Sequence, residues 1–145
     1  MEKGGGVNYW LFKSEPDGWS WDQQVARGDA GEEWTGVRNY QARNNMRSMR
    51  LGDRGFFYHS NIGKEIVGVV EIVRESAPDS TTDDTRWDCV VIKAVVPVKH
   101  PVSLDDCKSM IGLENMALVK NTRLSVQPVT QEEWTIVCGL AGVSP

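Results

Sequence analysis

Two long apolar runs near the middle of the chain set the strongest limit on its fold. Glu65–Val73 (EIVGVVEIV) and Asp88–Val98 (DCVVIKAVVPV) are rich in β-branched residues and apolar on both alternating faces. A strand with two dry faces belongs to a barrel or to a sheet covered by helices. Val7–Phe12 reads as another buried strand, which leaves at Lys13-Ser14-Glu15-Pro16 because proline cannot continue a ladder. Gly55–Ser60 (GFFYHS) reads as a fourth, followed by a turn through Asn61-Ile62-Gly63-Lys64.

Helices fall between and after these strands. Ser20-Trp21-Asp22-Gln23 has capping-box spacing and predicts a short helix from Trp21 to about Arg27, stopped by Gly28. Ser103-Leu104-Asp105-Asp106 caps another. Thr130-Gln131-Glu132-Glu133 opens a closing helix to about Leu140, with Val129 and Trp134 placed as a hydrophobic staple. Within Tyr40–Leu51, Ala42, Met46 and Met49 share one helical face, and Gly52 supplies the stop. Arg43, Arg47 and Arg50 follow one residue behind, so a basic stripe stays wet beside the core stripe. The polar, acidic segment Glu75–Asp84 (ESAPDSTTDD) is expected to be a mobile hairpin loop. The result is one α+β domain around a small, strongly curved sheet or barrel.

With 145 residues, 40% apolar and 25% charged, the chain fits one globular domain. Residues 1–7, with Gly4-Gly5-Gly6, read as a flexible lead without the apolar stretch of a secretory signal. No run is long enough to span a bilayer, so no membrane partner is expected. Cys89, Cys107 and Cys138 are odd in number and form no CxxC pair, which argues against disulfides and zinc and for an intracellular, reducing setting. A formal charge of −4 excludes a protein that coats nucleic acid through its overall field. The charge is uneven, however: Arg38, Arg43, Arg47, Arg50 and Arg54 face the single acid Asp53 over that stretch.

Catalytic templates are missing: there is no GxSxG, HExxH, Walker A or GxGxxG pattern. Enzymatic chemistry would have to rest on His59 as a general base. Three polar and aromatic stretches remain. Trp34-Thr35-Gly36-Val37-Arg38-Asn39 joins a loop to the basic-striped helix, where a flat base can stack on an indole while an amide reads its edge. On spacing alone, a lone Trp before a helix is more often a packing anchor. Tyr58-His59-Ser60-Asn61 ends a strand with four hydrogen-bonding side chains, which suit a pocket rim or a histidine pinning the next turn. Ser14 faces a pocket or opens the turn before Pro16.

Taken in order, Tyr9–Pro16 (YWLFKSEP), Trp34–Asn44 (WTGVRNYQARN), Phe56–Asn61 (FFYHSN), Ile66–Ile72 (IVGVVEI) and Arg123–Val129 (RLSVQPV) resemble the motifs of the EVE domain family, in the PUA-like superfamily. The match runs from about Asn8 to Cys138, and residues 8–143 are assigned to that domain. The resemblance implies a PUA-like fold, a barrel-like sheet ringed by short helices, related to readers of methylated adenine in RNA. It implies a non-catalytic module that takes a flipped, modified base, modified cytosine foremost, into an aromatic pocket. Carried over by position, Trp34 is the stacking wall and Ser14 and Asn39 read the base edge. Tyr58, His59 and Ser60 line the opposite side, and Arg123 and Ser125 border the mouth. Lys13, Arg38, Arg43 and Arg47 hold flanking phosphates. The implied partner is DNA or RNA carrying a modified base, bound by a monomer without metal or cofactor. Two other readings stay open: an RNA-binding or adaptor domain using the Arg43–Arg47–Arg50 face, and a small nucleobase-acting enzyme with His59 as base.

Overall fold

The computed structural model describes residues 7–145, so the expected N-terminal lead lies, apart from Val7, outside the described residues. The strands are β1 (Tyr9–Ser14), β2 (Glu32–Glu33), β3 (Arg54–His59), β4 (Glu65–Pro78), β5 (Asp88–Ser103) and β6 (Val126–Val129). The helices are α1 (Trp21–Ala26), α2 (Tyr40–Ser48), α3 (Leu104–Ser109), α4 (Ala117–Lys120) and α5 (Gln131–Ala141). One sheet holds all six strands in the order β2-β5-β4-β3-β1-β6. β1 runs parallel to β3 and every other pairing is antiparallel. The mixed α+β fold expected from the sequence is therefore present, and the sheet is not closed.

Side-chain alternation explains why closure is unnecessary. On β1, Trp10 and Phe12 face one way and Leu11 the other. Trp10, Phe12, Phe57, Val70 and Ile72 join Trp21 of α1 and Ala42 and Met46 of α2 in one core. Leu11, Phe56, Ile66 and Val69 join Cys107, Leu118, Trp134 and Val137 of α3 to α5 in a second. In that second core the Trp134 ring stacks on both Tyr9, at 4.4 Å, and Phe56, at 4.0 Å. Helices dry both faces, so the strands need no barrel interior. The two free edges, β2 and β6, are only two and four residues long, and Pro128 removes a donor from β6.

Local signals set the helix ends. Ser20, Ser103 and Thr130 each form a complete capping box. α5 stops at Gly142 in the left-handed region, with φ 73°. α2 ends at Ser48, short of the expected Leu51. Buried Asp53 accepts from the Arg50 amide (2.9 Å), the Trp10 indole (3.0 Å) and the Asn8 amide (3.1 Å), and so draws the chain out of the helix. The expected loop at Glu75–Asp84 is shorter than it reads. Ala77 and Pro78 still pair with Cys89 and Asp88, and Asp79 is buried.

Candidate functional site

Where β1 leaves the sheet, an open cleft of about 490 Å³ forms between the β1–α1 turn and the segment before α2. It lies within the roughly 300–1,000 Å³ typical of small-molecule sites. Lys13, Ser14, Glu15, Trp19, Trp34, Thr35, Arg38 and Ser125 are among its lining residues. Trp34 is 8% exposed and packs edge-on against Phe12 and Phe57 at 5.4 and 5.7 Å. Its indole N–H has no hydrogen-bond partner among the described residues and is not fully buried, which leaves it available as a donor. The wider aromatic surface belongs to Trp19, which is half-buried. The indole of Trp19 donates to Gln24 Oε1 at 2.9 Å, and Gln24 Nε2 donates to the Ile92 carbonyl at 3.0 Å. Sequence reasoning missed Trp19, although a Trp directly after Pro16-Asp17-Gly18, beside a strand exit, was a usable signal.

The cleft's other wall is held by a buried carboxylate. Asp79 accepts from the Gly36 amide (2.9 Å), from Arg38 (3.1 Å) and from the Thr81 amide (2.8 Å) and hydroxyl. Burial alone would raise its pKa. The bonds from Thr81, Gly36 and Arg38 outweigh that and bring it down to about 2. A fixed anion thus positions both the Gly36 backbone, at φ +81°, and the Arg38 guanidinium. Ser14 donates to the Trp19 carbonyl, so its lone pairs remain as acceptors.

The other expected residues do not all meet here. Ser14, Trp34, Ser125, Lys13 and Arg38 share the cleft. Asn39 caps α2 instead, accepting from the Ala42 amide at 2.9 Å. Tyr58 and Ser60 line a separate cleft of about 290 Å³, with Lys13 on the boundary between the two. Lys13 donates to the Thr122 carbonyl at 2.7 Å, and burial lowers its pKa. The Tyr58 phenol is pushed up to about 12, first by burial and then by Cys107 and Asp105. His59 Nε2 accepts from the Trp21 amide at 3.1 Å, so the imidazole anchors the start of α1. Arg123 is exposed and outside the lining. Arg43 bonds Asn44 and the Arg86 carbonyl, whereas Arg47 is ion-paired with Asp88. The basic stripe is therefore largely neutralised, with Arg50 near Glu75 as well.

An open mixed sheet, helices on both faces and a cleft where a central strand ends define a PUA-like α+β domain. Its fold is shared with a YTH domain of Zygosaccharomyces rouxii MRB1, at TM-score 0.54 and 17% identity over 92% of this chain and 86% of that one. The chain belongs to the EVE domain family, whose model matches residues 8–140. A crystal structure of an Agrobacterium tumefaciens protein is 60% identical, covers 94% of both chains and superposes with a TM-score of 0.93. Human thymocyte nuclear protein 1 is 35% identical over 95% of this chain and 76% of its own length. The structure of human THYN1 in complex with 5-methylcytosine-containing DNA gives a TM-score of 0.87, at 36% identity over 96% of this chain and all of that one.

Proposed function

We infer that this domain is a non-catalytic reader that accepts one nucleobase of a nucleic-acid strand, modified cytosine for preference, in the Trp19–Trp34 cleft. The observation that carries the reading is the composition of that cleft: two indoles and three hydroxyl side chains beside Lys13, Glu15 and Arg38. An aromatic wall binds any base face, at roughly 1–3 kcal/mol per stacked base, and edge contacts then select among bases. Trp19 supplies the stacking face and Trp34 a second wall with its free N–H. Ser14 and Ser125 read the edge, and Glu15 at the lip is an acceptor suited to the amino group of cytosine. Lys13, Arg43 and the exposed Arg123 take phosphates, while Arg38 stays held by Asp79. The complex of human THYN1 with 5-methylcytosine-containing DNA supports this assignment of ligand class.

Two observations weigh against the other readings. The His59 lone pair is committed to a backbone amide, so it is not placed as a general base. Arg47 and Arg50 face carboxylates, which removes most of the free charge an adaptor face would use.

The test is a fluorescence titration with single-stranded and duplex oligonucleotides carrying cytosine or 5-methylcytosine. The modified strands should quench Trp emission and bind more tightly than the unmodified ones. Trp19→Ala and Trp34→Ala should each cost tenfold or more, as estimated from stacking. Equal affinity for both bases, insensitive to either substitution, refutes the reading.

A further inference from the structure

A second group of aromatic and guanidinium side chains begins at the cleft mouth and shares only Arg38 with the cleft lining. Tyr40, the first residue of α2, is 50% exposed and stacks on Trp87 at 5.1 Å with an interplanar angle of 24°. The Arg38 and Arg86 guanidinium carbons lie 5.5 and 5.7 Å from the Trp87 ring centre, and that of Arg43 lies 4.8 Å from Tyr40. Arg86 donates to the Tyr40 hydroxyl at 3.2 Å and forks onto Asp84. Arg43 in turn donates to the Arg86 carbonyl at 2.9 Å. Arg38 belongs to both places, since it also lines the cleft.

Charge separates this group from ordinary surface packing. Of the nine arginines in the chain, Arg27, Arg38, Arg47, Arg50, Arg54, Arg74 and Arg86 each lie within ion-pair distance of a carboxylate. Arg43 and Arg123 have none among the described residues. Within the aromatic group, three guanidiniums face Asp79 and Asp84, so one positive charge is left over, on Arg43. The Tyr40–Trp87 stack, the Arg43 bond to the Arg86 carbonyl and the Arg47–Asp88 ion pair fasten α2 to the turn before β5. What this packing leaves over is the solvent-exposed half of Tyr40 and the positive charge of Arg43, which has no carboxylate within ion-pair distance among the described residues. Both suit a nucleotide, which brings a flat ring and an anion together. Aromatic faces also hold guanidinium planes in place in advance, which lowers the ordering cost of binding a phosphate.

We propose that Tyr40, Arg43 and Arg86 form a second subsite, one nucleotide away from the cleft. Tyr40 stacks the neighbouring base as the Arg43 guanidinium, which lies over its ring, moves to the phosphate that joins this base to the one in the cleft, while Arg86, held by Asp84, keeps the Tyr40 hydroxyl in place. The inference rests on the reading of the cleft as a base site. It identifies the partner as a strand whose neighbouring base is unpaired there, because a base inside a duplex stack offers no face to Tyr40.

Three ligands test it on the full chain: a 5-methylcytosine nucleoside, a trinucleotide with that base in the centre, and the same trinucleotide with abasic neighbours. The intact trinucleotide should bind about tenfold more tightly than its abasic-flanked form. Tyr40→Ala should erase that gain and leave nucleoside affinity unchanged, and Tyr40→Phe should keep it. Arg43→Gln should weaken both trinucleotides and flatten their salt dependence by about one phosphate contact. The proposal is overturned if flanking bases add nothing to wild-type binding, or if Tyr40→Ala weakens the abasic-flanked ligand just as much. Failure of the nucleoside to bind, with Trp19→Ala without effect on any ligand, refutes the cleft reading itself and this subsite with it.

Discussion

Asp79 decides the shape of the cleft wall, and it shows what a single residue hides in a sequence. It stands inside an acidic, polar stretch that looks solvated, yet it is 2% exposed and accepts four hydrogen bonds. Nothing local marks it, because two of its donors lie more than forty residues away, at Gly36 and Arg38. Asp79→Asn should destabilise the fold by about 2 kcal/mol through lost charge-assisted bonds. It should also weaken base binding, because Gly36 and Arg38 lose their anchor. Urea titration and ligand titration on the same variant measure the two effects. The pH dependence has a definite sign. The unfolded carboxyl titrates near 3.8 and the folded one near 2, so the folded state binds its proton less readily. This share of stability is therefore complete above about pH 4 and is lost as pH falls through 2. The Asn variant should lack that acid-side slope between those limits. Gln24 is the matching case on the opposite wall: fully buried, it is bonded to Trp19 and to the Ile92 carbonyl.

At the scale of elements, the contacts that place α1 differ in how readily the chain reveals them. The Ser20–Gln23 capping box was legible because both partners lie within four residues. The anchoring of the Trp21 amide by His59 and the seating of the Trp21 ring on Gly68 depend on strand order, which spacing does not reveal. A Cβ at residue 68 would lie inside the Trp21 indole, so Gly68→Ala should cost about 1–3 kcal/mol and displace α1. Since Trp19 lies just before the Ser20 cap of α1, the same variant should loosen the cleft, seen as weaker ligand quenching. His59 gives the helix a pH response. Burial is the largest influence and lowers the imidazole pKa, against the opposing pull of Glu65 and Asp22. The unfolded group titrates near 6.5, so the His59 contribution is full above that pH and falls away as pH drops through the lower folded value. An NMR titration should find the His59 midpoint below 6.5, with α1 amides exchanging faster once it is passed. A midpoint above 6.5 would show that the carboxylates outweigh burial. The lengths of β4 and β5 were misjudged for a related reason. Glu75–Pro78 carries no apolar alternation, and only its partner strand holds it in the sheet.

For the molecule as a whole, one sheet carries an apolar core on each face, and only one of the two ends in an open cleft. The face toward α3, α4 and α5 is apolar packing, whereas the end of β1 beside α1 and α2 opens the cleft. This division was largely legible, since Trp10, Leu11 and Phe12 already alternate in the first strand. The distribution of charge was not, because ion pairs such as Arg47–Asp88 and Arg74–Glu33 join residues 41 apart. Counted from the sequence, Arg38–Arg54 is a basic patch; in the fold, Arg38, Arg47, Arg50 and Arg54 each lie against a carboxylate. An overall charge of −4 adds a weak repulsion for any polyanion. On the cleft side, the cations with no carboxylate partner among the described residues are few: Arg43, Arg123 and Lys13, the last held by the Thr122 carbonyl. Each phosphate neutralised on a single strand contributes a slope of about −0.7 to a plot of log affinity against log salt concentration. Two or three contacts therefore predict a slope of about −2 for a short modified strand. Affinity for the modified base should then survive at salt concentrations that abolish binding to unmodified strands, because stacking is not screened. A slope steeper than about −5, shared equally by modified and unmodified strands, would mean that the protein grips the backbone and that the cleft contributes little.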